Sequence, residues 1–168
     1  MTLLDAPKFD EVREKRKQHI LFGSGGLLLV LFVGWWLVAG RPVDWPWNWN
    51  NHLFGRSTVN HFLAAVEKND LPTAYGIWTH DKDWQQHPAQ HGVYPFSRFQ
   101  GDWSSSSPDN EYGNIQSHQI VAARMYSNTL LVAVLINGRK SKALNLDYDP
   151  KTHQLSFSPP GVELYLGP

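Results

Sequence analysis

The sequence predicts an α+β protein, with one membrane-spanning helix followed by a domain of two or three helices packed on a curved antiparallel sheet. Three observations carry this reading. Residues 20–40, ILFGSGGLLLVLFVGWWLVAG, hold no charged side chain. Between residues 57 and 103 apolar side chains recur at helical spacing. From residue 115 onward the spacing changes to that of strands broken by turn residues. The 168 residues thus divide into a tail (1–19), a span (20–40), a Trp/Pro/Asn-rich juxtamembrane linker (41–52) and a folded domain (53–168).

The uncharged run, as a helix, covers about 31 Å at about 1.5 Å per residue, which matches a hydrocarbon core of about 30 Å. Gly23, Gly25, Gly26 and Gly34 weaken a helix in water. In lipid the backbone has no other way to satisfy its hydrogen bonds, so they are tolerated. Lys8, Arg13, Lys15, Arg16 and Lys17 precede the run, whereas only Arg41 and Arg56 follow closely. The positive-inside rule therefore places the N-terminus in the cytoplasm and the domain outside, periplasmic in a bacterial inner membrane. A cleaved signal peptide is the rival reading. The run is long for one, Trp35 and Trp36 stand where small residues are needed, and Pro42 follows closely. An uncleaved signal anchor is therefore favoured.

Trp35, Trp36, Trp45, Trp47 and Trp49 crowd into fifteen positions. Trp favours the headgroup zone, where its ring is in apolar surroundings and its N–H finds an acceptor. All five are expected at the membrane interface, with the alternative that some pack onto the domain.

In the domain, Val59, Phe62, Leu63 and Val66 make one helix face, and Ser57 or Thr58 is the expected cap. Asn69 and Asp70 break that helix. Asp70 caps a second, with Pro72 in its first turn and Leu71, Ala74, Tyr75 and Trp78 on one face. Residues 79–94 are polar, rich in His and without period. Phe96, Phe99 and Trp103 share a face of a short third helix, and residues 104–110 read as loop. Strands are expected at about 115–126, 130–136, 140–148 and 154–158. The 130–136 run is continuously apolar, as in a central strand. Asn137-Gly138 is the strongest hairpin signal. Pro159, Pro160 and Gly161 end the sheet, and the tail VELYLGP is expected to dock weakly.

Composition narrows function. Fifteen basic and fifteen acidic residues cancel, so no basic excess exists for nucleic-acid binding by bulk charge. No cysteine is present, which excludes disulfides, thiol catalysis and Cys-based zinc sites. His80, Asp81, Asp83, His87, His91, Asp102 and Tyr75 are the candidates for acid–base chemistry. The first five lie in THDKDWQQHPAQH, which reads more readily as a solvated loop; Asp102 and Tyr75 are further options. His80-x-x-Asp83 and His87-x-x-x-His91 have ligand-like spacing, but Pro88 undermines the helix a zinc pair needs. No metal and no cofactor is expected. Tyr75, Trp78, Trp84, Phe99, Trp103 and Tyr126, with Phe96, are the candidate lining of a ligand cavity, and ordinary core is the competing reading.

The stretch VNHFLAAVEKNDLPTAYGIWT, with Phe62, Leu63, Ala64, Asn69, Asp70, Ala74, Tyr75 and Trp78, resembles the opening of the nuclear-transport-factor-two-like superfamily. This is the cone-shaped fold shared with ketosteroid isomerase and the SnoaL-like cyclases. The resemblance covers about residues 56–158. It implies a cone of helices on a curved sheet, and pairing of copies through the open sheet face, which would use alternate residues of strands 115–148. It does not imply an activity, because the superfamily hosts enzymes, binders and assembly modules. The layout of tail, span and external cone is also similar to an inner-membrane assembly component of type IV secretion systems. A non-enzymatic role is favoured: an accessory or assembly module at the bilayer that docks a membrane or periplasmic protein or forms a homodimer. A binder of a small apolar or lipid-like ligand is the alternative, and an isomerase- or cyclase-type enzyme the third.

Overall fold

A computed structural model describes residues 11–139 and 142–162. Two compact units emerge, the first ending at Val38 and the second beginning at Ala39. The expected docking of the tail, beyond Val162, and the first ten residues of the N-terminal segment lie outside the described residues.

The first unit is one helix, α1, Glu11–Val38. It is long and apolar enough to cross a membrane, and it starts well before the uncharged run. Phe22, Leu28 and Leu29 are each about two-thirds exposed or more. In water that surface would be costly at about 25 cal/mol per Å². The one hydroxyl in the run, Ser24 Oγ, donates to the Leu21 carbonyl at 3.0 Å, so the helix satisfies it internally.

The second unit carries helices α2 (Trp49–Glu67), α3 (Leu71–Thr79) and α4 (Phe96–Trp103), then strands β1 (His118–Tyr126), β2 (Thr129–Ile136), β3 (Leu144–Tyr148) and β4 (Leu155–Phe157). The strands form an antiparallel sheet in sequential order that does not close. The α+β class is therefore as expected.

α2 begins at Trp49, eight residues before the expected cap at Ser57. A 3₁₀ turn, Pro46–Asn48, leads directly into it. The segment read as a linker is thus partly helical, because Trp49, His52 and Gly55 extend the buried face of Val59, Phe62, Leu63 and Val66 by two turns. Gly55 allows the close approach: a Cβ there would stand 2.5 Å from Leu130 Cδ2 and 2.9 Å from Tyr148 Cδ1. Asn69 takes a left-handed φ of 57° and ends the helix. Asp70 then caps α3 as predicted, accepting from the Thr73 N–H.

Leu130, Val132, Val134 and Ile136 of β2 face the helices, opposite Tyr148, Leu146 and Leu144 of β3. On the other face Leu131, Ala133 and Leu135 are also buried, so β2 is enclosed on both sides, as its continuous apolar run implies. The β1–β2 hairpin closes at Ser127-Asn128, with Ser127 at φ 55°. Asn137 and Gly138 do adopt positive φ, but β3 does not resume pairing until Leu144, opposite Val134. The Asn137 side chain instead accepts from the Gln116 and Ser117 N–H groups and donates to the Asn114 carbonyl. It pins the strand entering β1, a role the dipeptide signal does not encode.

Candidate functional site

The aromatic residues of α2, α3 and α4 fill the space between helices and sheet. Phe62 lies 5.3 Å from Trp78 and 4.9 Å from Trp103 between ring centroids, and Trp78 and Trp103 are 5.8 Å apart. Tyr75 contacts Phe99 edge-on at 5.1 Å. Phe62, Tyr75, Trp78, Phe99 and Trp103 are all at most 5% exposed and belong to one hydrophobic cluster. These tilted and edge-on contacts are the favoured geometries for aromatic rings in a packed core. Four of the six candidate cavity residues are thus brought together, as core.

The other two stand elsewhere. Trp84 is half-buried at the rim of the cluster, 4.6 Å from Phe96, and its Nε1 donates to the Pro72 carbonyl. Tyr126 is 53% exposed at the end of β1. Its neighbour Met125 packs against the core, so strand alternation turns Tyr126 to the opposite face.

The polar candidates sit outside this interior. Asp81 Oδ2 accepts from His87 Nδ1 at 3.1 Å and from His91 Nε2 at 3.0 Å, and Oδ1 accepts from the Asp83 N–H. The His91 hydrogen bond is the largest influence and, with smaller contributions from His87 and the Asp83 N–H, holds the Asp81 carboxyl below the usual carboxylate range against desolvation. The two histidines therefore converge on a carboxylate. His80 faces His153, with ring centroids 5.2 Å apart. Among the described residues no group of three His, Asp or Glu side chains has the geometry to hold a metal ion.

Asp102 accepts from the Tyr94 hydroxyl at 2.7 Å, and the Tyr75 hydroxyl donates to the Tyr94 carbonyl at 2.7 Å. Burial, then the adjoining carboxylate, pushes the Tyr94 phenol far above its ordinary value. The buried Trp103 indole N–H is directed at this phenol as a weak donor and acts on it in the opposite direction. Beside this group opens a cleft of about 440 Å³, lined by Asp102, Trp103, Asp109, Glu111, Tyr112 and Lys142 among others.

The five juxtamembrane tryptophans also separate. Trp35 and Trp36 lie near the end of α1, where Trp35 meets Phe32 edge-on at 6.3 Å. Trp45 and Trp47, each about 70% exposed, stack on one another at 5.1 Å with planes 2° apart. Trp49 is only 5% exposed, and its Nε1 donates to the Asp44 carbonyl. The expectation that Trp49 belongs to the interface is corrected by its position on the buried face of α2. The same turn holds a pair that sequence spacing does not reveal: His52, 1% exposed, lies 2.8 Å from Asp44 Oδ2.

An α+β head with a packed aromatic interior, following an apolar helix, is the class that fold and site define. Compared with protein-family models, curated proteins and solved structures, the chain matches none.

Proposed function

We propose that the protein is a single-pass membrane anchor carrying an extracytoplasmic docking module, with α1 in a bacterial inner membrane and the N-terminus in the cytoplasm. The head would be a nuclear-transport-factor-two-like cone whose partner is a membrane or periplasmic protein or a second copy of the chain. The observation that carries this reading is the interior closed by Trp78 and Trp103. A cone filled by its own aromatic rings has no room at its centre for substrate, which weighs against the isomerase and apolar-ligand readings. Function then rests on the surface.

The head offers exposed apolar side chains for this. Val43, Trp45, Trp47 and Phe54 are each at least 60% exposed and lie within sixteen residues of the end of α1. Trp45 and Trp47 suit the headgroup zone, and the anchor raises the effective concentration of the head toward membrane neighbours. The sheet face used for pairing in the resembling superfamily is a weaker candidate, because Leu131, Ala133 and Asp147 on it are already buried. The test is photocrosslinking of the full chain in native membranes, with a photoreactive residue at Phe54 or Val93. Docking predicts discrete protein adducts at one of these positions. Lipid adducts alone at both would overturn it.

A further inference from the structure

We propose that Arg56 is a lipid-headgroup site, its guanidinium binding the phosphodiester of an anionic phospholipid. This deepens the anchored reading above and rests on it. Arg56 lies on α2 and is half-buried. A Cβ on Gly40 would stand 3.0 Å from its Nη1, 3.1 Å from its Cζ and 3.5 Å from its Nε, so only glycine leaves the guanidinium this place. Gly40 has φ 86°, and Arg41 beside it φ 57°, a left-handed value uncommon away from glycine. Asp44 meets His52, one helical turn before Arg56. Residues 40–44 therefore run along α2 and fix where Arg56 stands.

The guanidinium is positioned but not neutralised. Among the described residues it has no hydrogen-bond acceptor and no carboxylate partner. Burial alone acts on it, lowering it from its ordinary value, and it stays charged at neutral pH. Between Gly40 and Val66 the one acid is Asp44, whose Oδ2 is engaged by His52 and whose Oδ1 is buried. Depth supplies the ligand. Gly40 ends the uncharged run, so with that run in lipid a guanidinium resting on Gly40 stands where hydrocarbon gives way to phosphate. Trp45, Trp47 and Phe54, all exposed, suit the same layer. An arginine fork there offers a phosphate two parallel, charge-assisted hydrogen bonds.

The experiment is native mass spectrometry of the full chain in a maltoside detergent, with equal amounts of phosphatidylglycerol and phosphatidylcholine of the same acyl chains. The basic residues before the span add the same background to every variant, so the tightest-bound lipid is the readout. The expected result is that this lipid is phosphatidylglycerol. Arg56→Gln should weaken it about tenfold with an unchanged unfolding transition, the factor that one charge-assisted contact supplies. Gly40→Ala keeps every charge but sets a methyl 3.0 Å from Nη1, and should weaken it too. Arg41→Gln, at an exposed position, should weaken it less than Arg56→Gln does. Equal binding of the two lipids by the wild type, or equal losses in Arg41→Gln and Arg56→Gln, overturns this site and leaves the anchor standing. Displacement of the lipid by millimolar inorganic phosphate overturns the lipid assignment. Recovery of the chain from membranes without detergent overturns the anchor, and the site with it.

Discussion

His52 Nε2 lies 2.8 Å from Asp44 Oδ2, and this contact joins the first turn of α2 to the segment that follows the apolar helix. The neighbouring Trp49 Nε1 donates to the Asp44 backbone carbonyl at 2.9 Å. Residues 44–52 are therefore part of the head, held by side-chain and main-chain bonds to one aspartate. A free tether would leave these groups to water. Here His52 is almost wholly enclosed, so losing its partner strands a buried polar ring.

Replacing Asp44 by Ala should destabilise the second unit by roughly 1–3 kcal/mol, the cost of leaving a buried polar group unpaired. His52→Ala should cost at least as much, because it also opens a cavity. The double variant should cost less than the sum of the two single changes. Denaturant unfolding of the full chain in detergent, followed by tryptophan fluorescence, measures all three.

Gly55→Ala should also destabilise the head. Alanine favours a helix by about 1 kcal/mol over glycine. Here the new methyl would stand 2.5 Å from Leu130 Cδ2, inside van der Waals contact, and Tyr148 blocks retreat. Overpacking of this kind costs about 1–3 kcal/mol, so the net change is a loss. A gain in stability by the same unfolding assay would show that the α2–sheet contact is looser than described.

Asp147 is 8% exposed, its Oδ1 has no hydrogen-bond partner, and burial raises its carboxyl above the ordinary value despite the Thr129 hydroxyl. A raised carboxyl destabilises the fold once ionised. The penalty is therefore present at pH above its folded value and relieved as pH falls toward the unfolded value of about 3.9. Asp147→Asn should raise the unfolding temperature at pH 7. The advantage over wild type should shrink as pH is lowered through the acid range.

Asp81 has the opposite sign. Its carboxyl is held low by His91 and His87, so its contribution to stability is present above the unfolded value and lost as pH falls through the folded one. Asp81→Asn should loosen the loop spanning Trp84–His91, where the two histidines sit, and speed amide exchange there at neutral pH. Unchanged exchange would mean that the aromatic contacts of Trp84 and His91 with Tyr75 hold the loop unaided.

Periodicity made most of the fold legible. Val59, Phe62, Leu63 and Val66 marked α2, Asp70 and Pro72 the start of α3, and the 130–136 run the central strand. The start of α2 was not legible, since WNWNNHLFGRS is rich in Asn and contains Gly, both poor in helix interiors, and Asn48 stands at the N-cap without a side-chain capping bond. Its helix is stabilised by burial of Trp49 and His52, a tertiary effect. Tyr75, Trp78, Phe99 and Trp103 were found by helical spacing, and spacing cannot tell a ring that lines a cavity from one that fills it. The Tyr94–Asp102 and Asp44–His52 pairs depend on how separate turns meet, which no local pattern records.

The proposed placement of α1 in lipid, with the head on the far side, is tested most directly by labelling. The chain has no native cysteine, so single cysteines report cleanly. Val93→Cys lies at a position 98% exposed in the head, and Lys8→Cys lies before the apolar helix. With a membrane-impermeant maleimide on intact spheroplasts, Val93→Cys should react at once and Lys8→Cys only after lysis. Labelling of Lys8→Cys but not Val93→Cys in intact spheroplasts, or recovery of the full-length chain in the soluble fraction, would contradict the account.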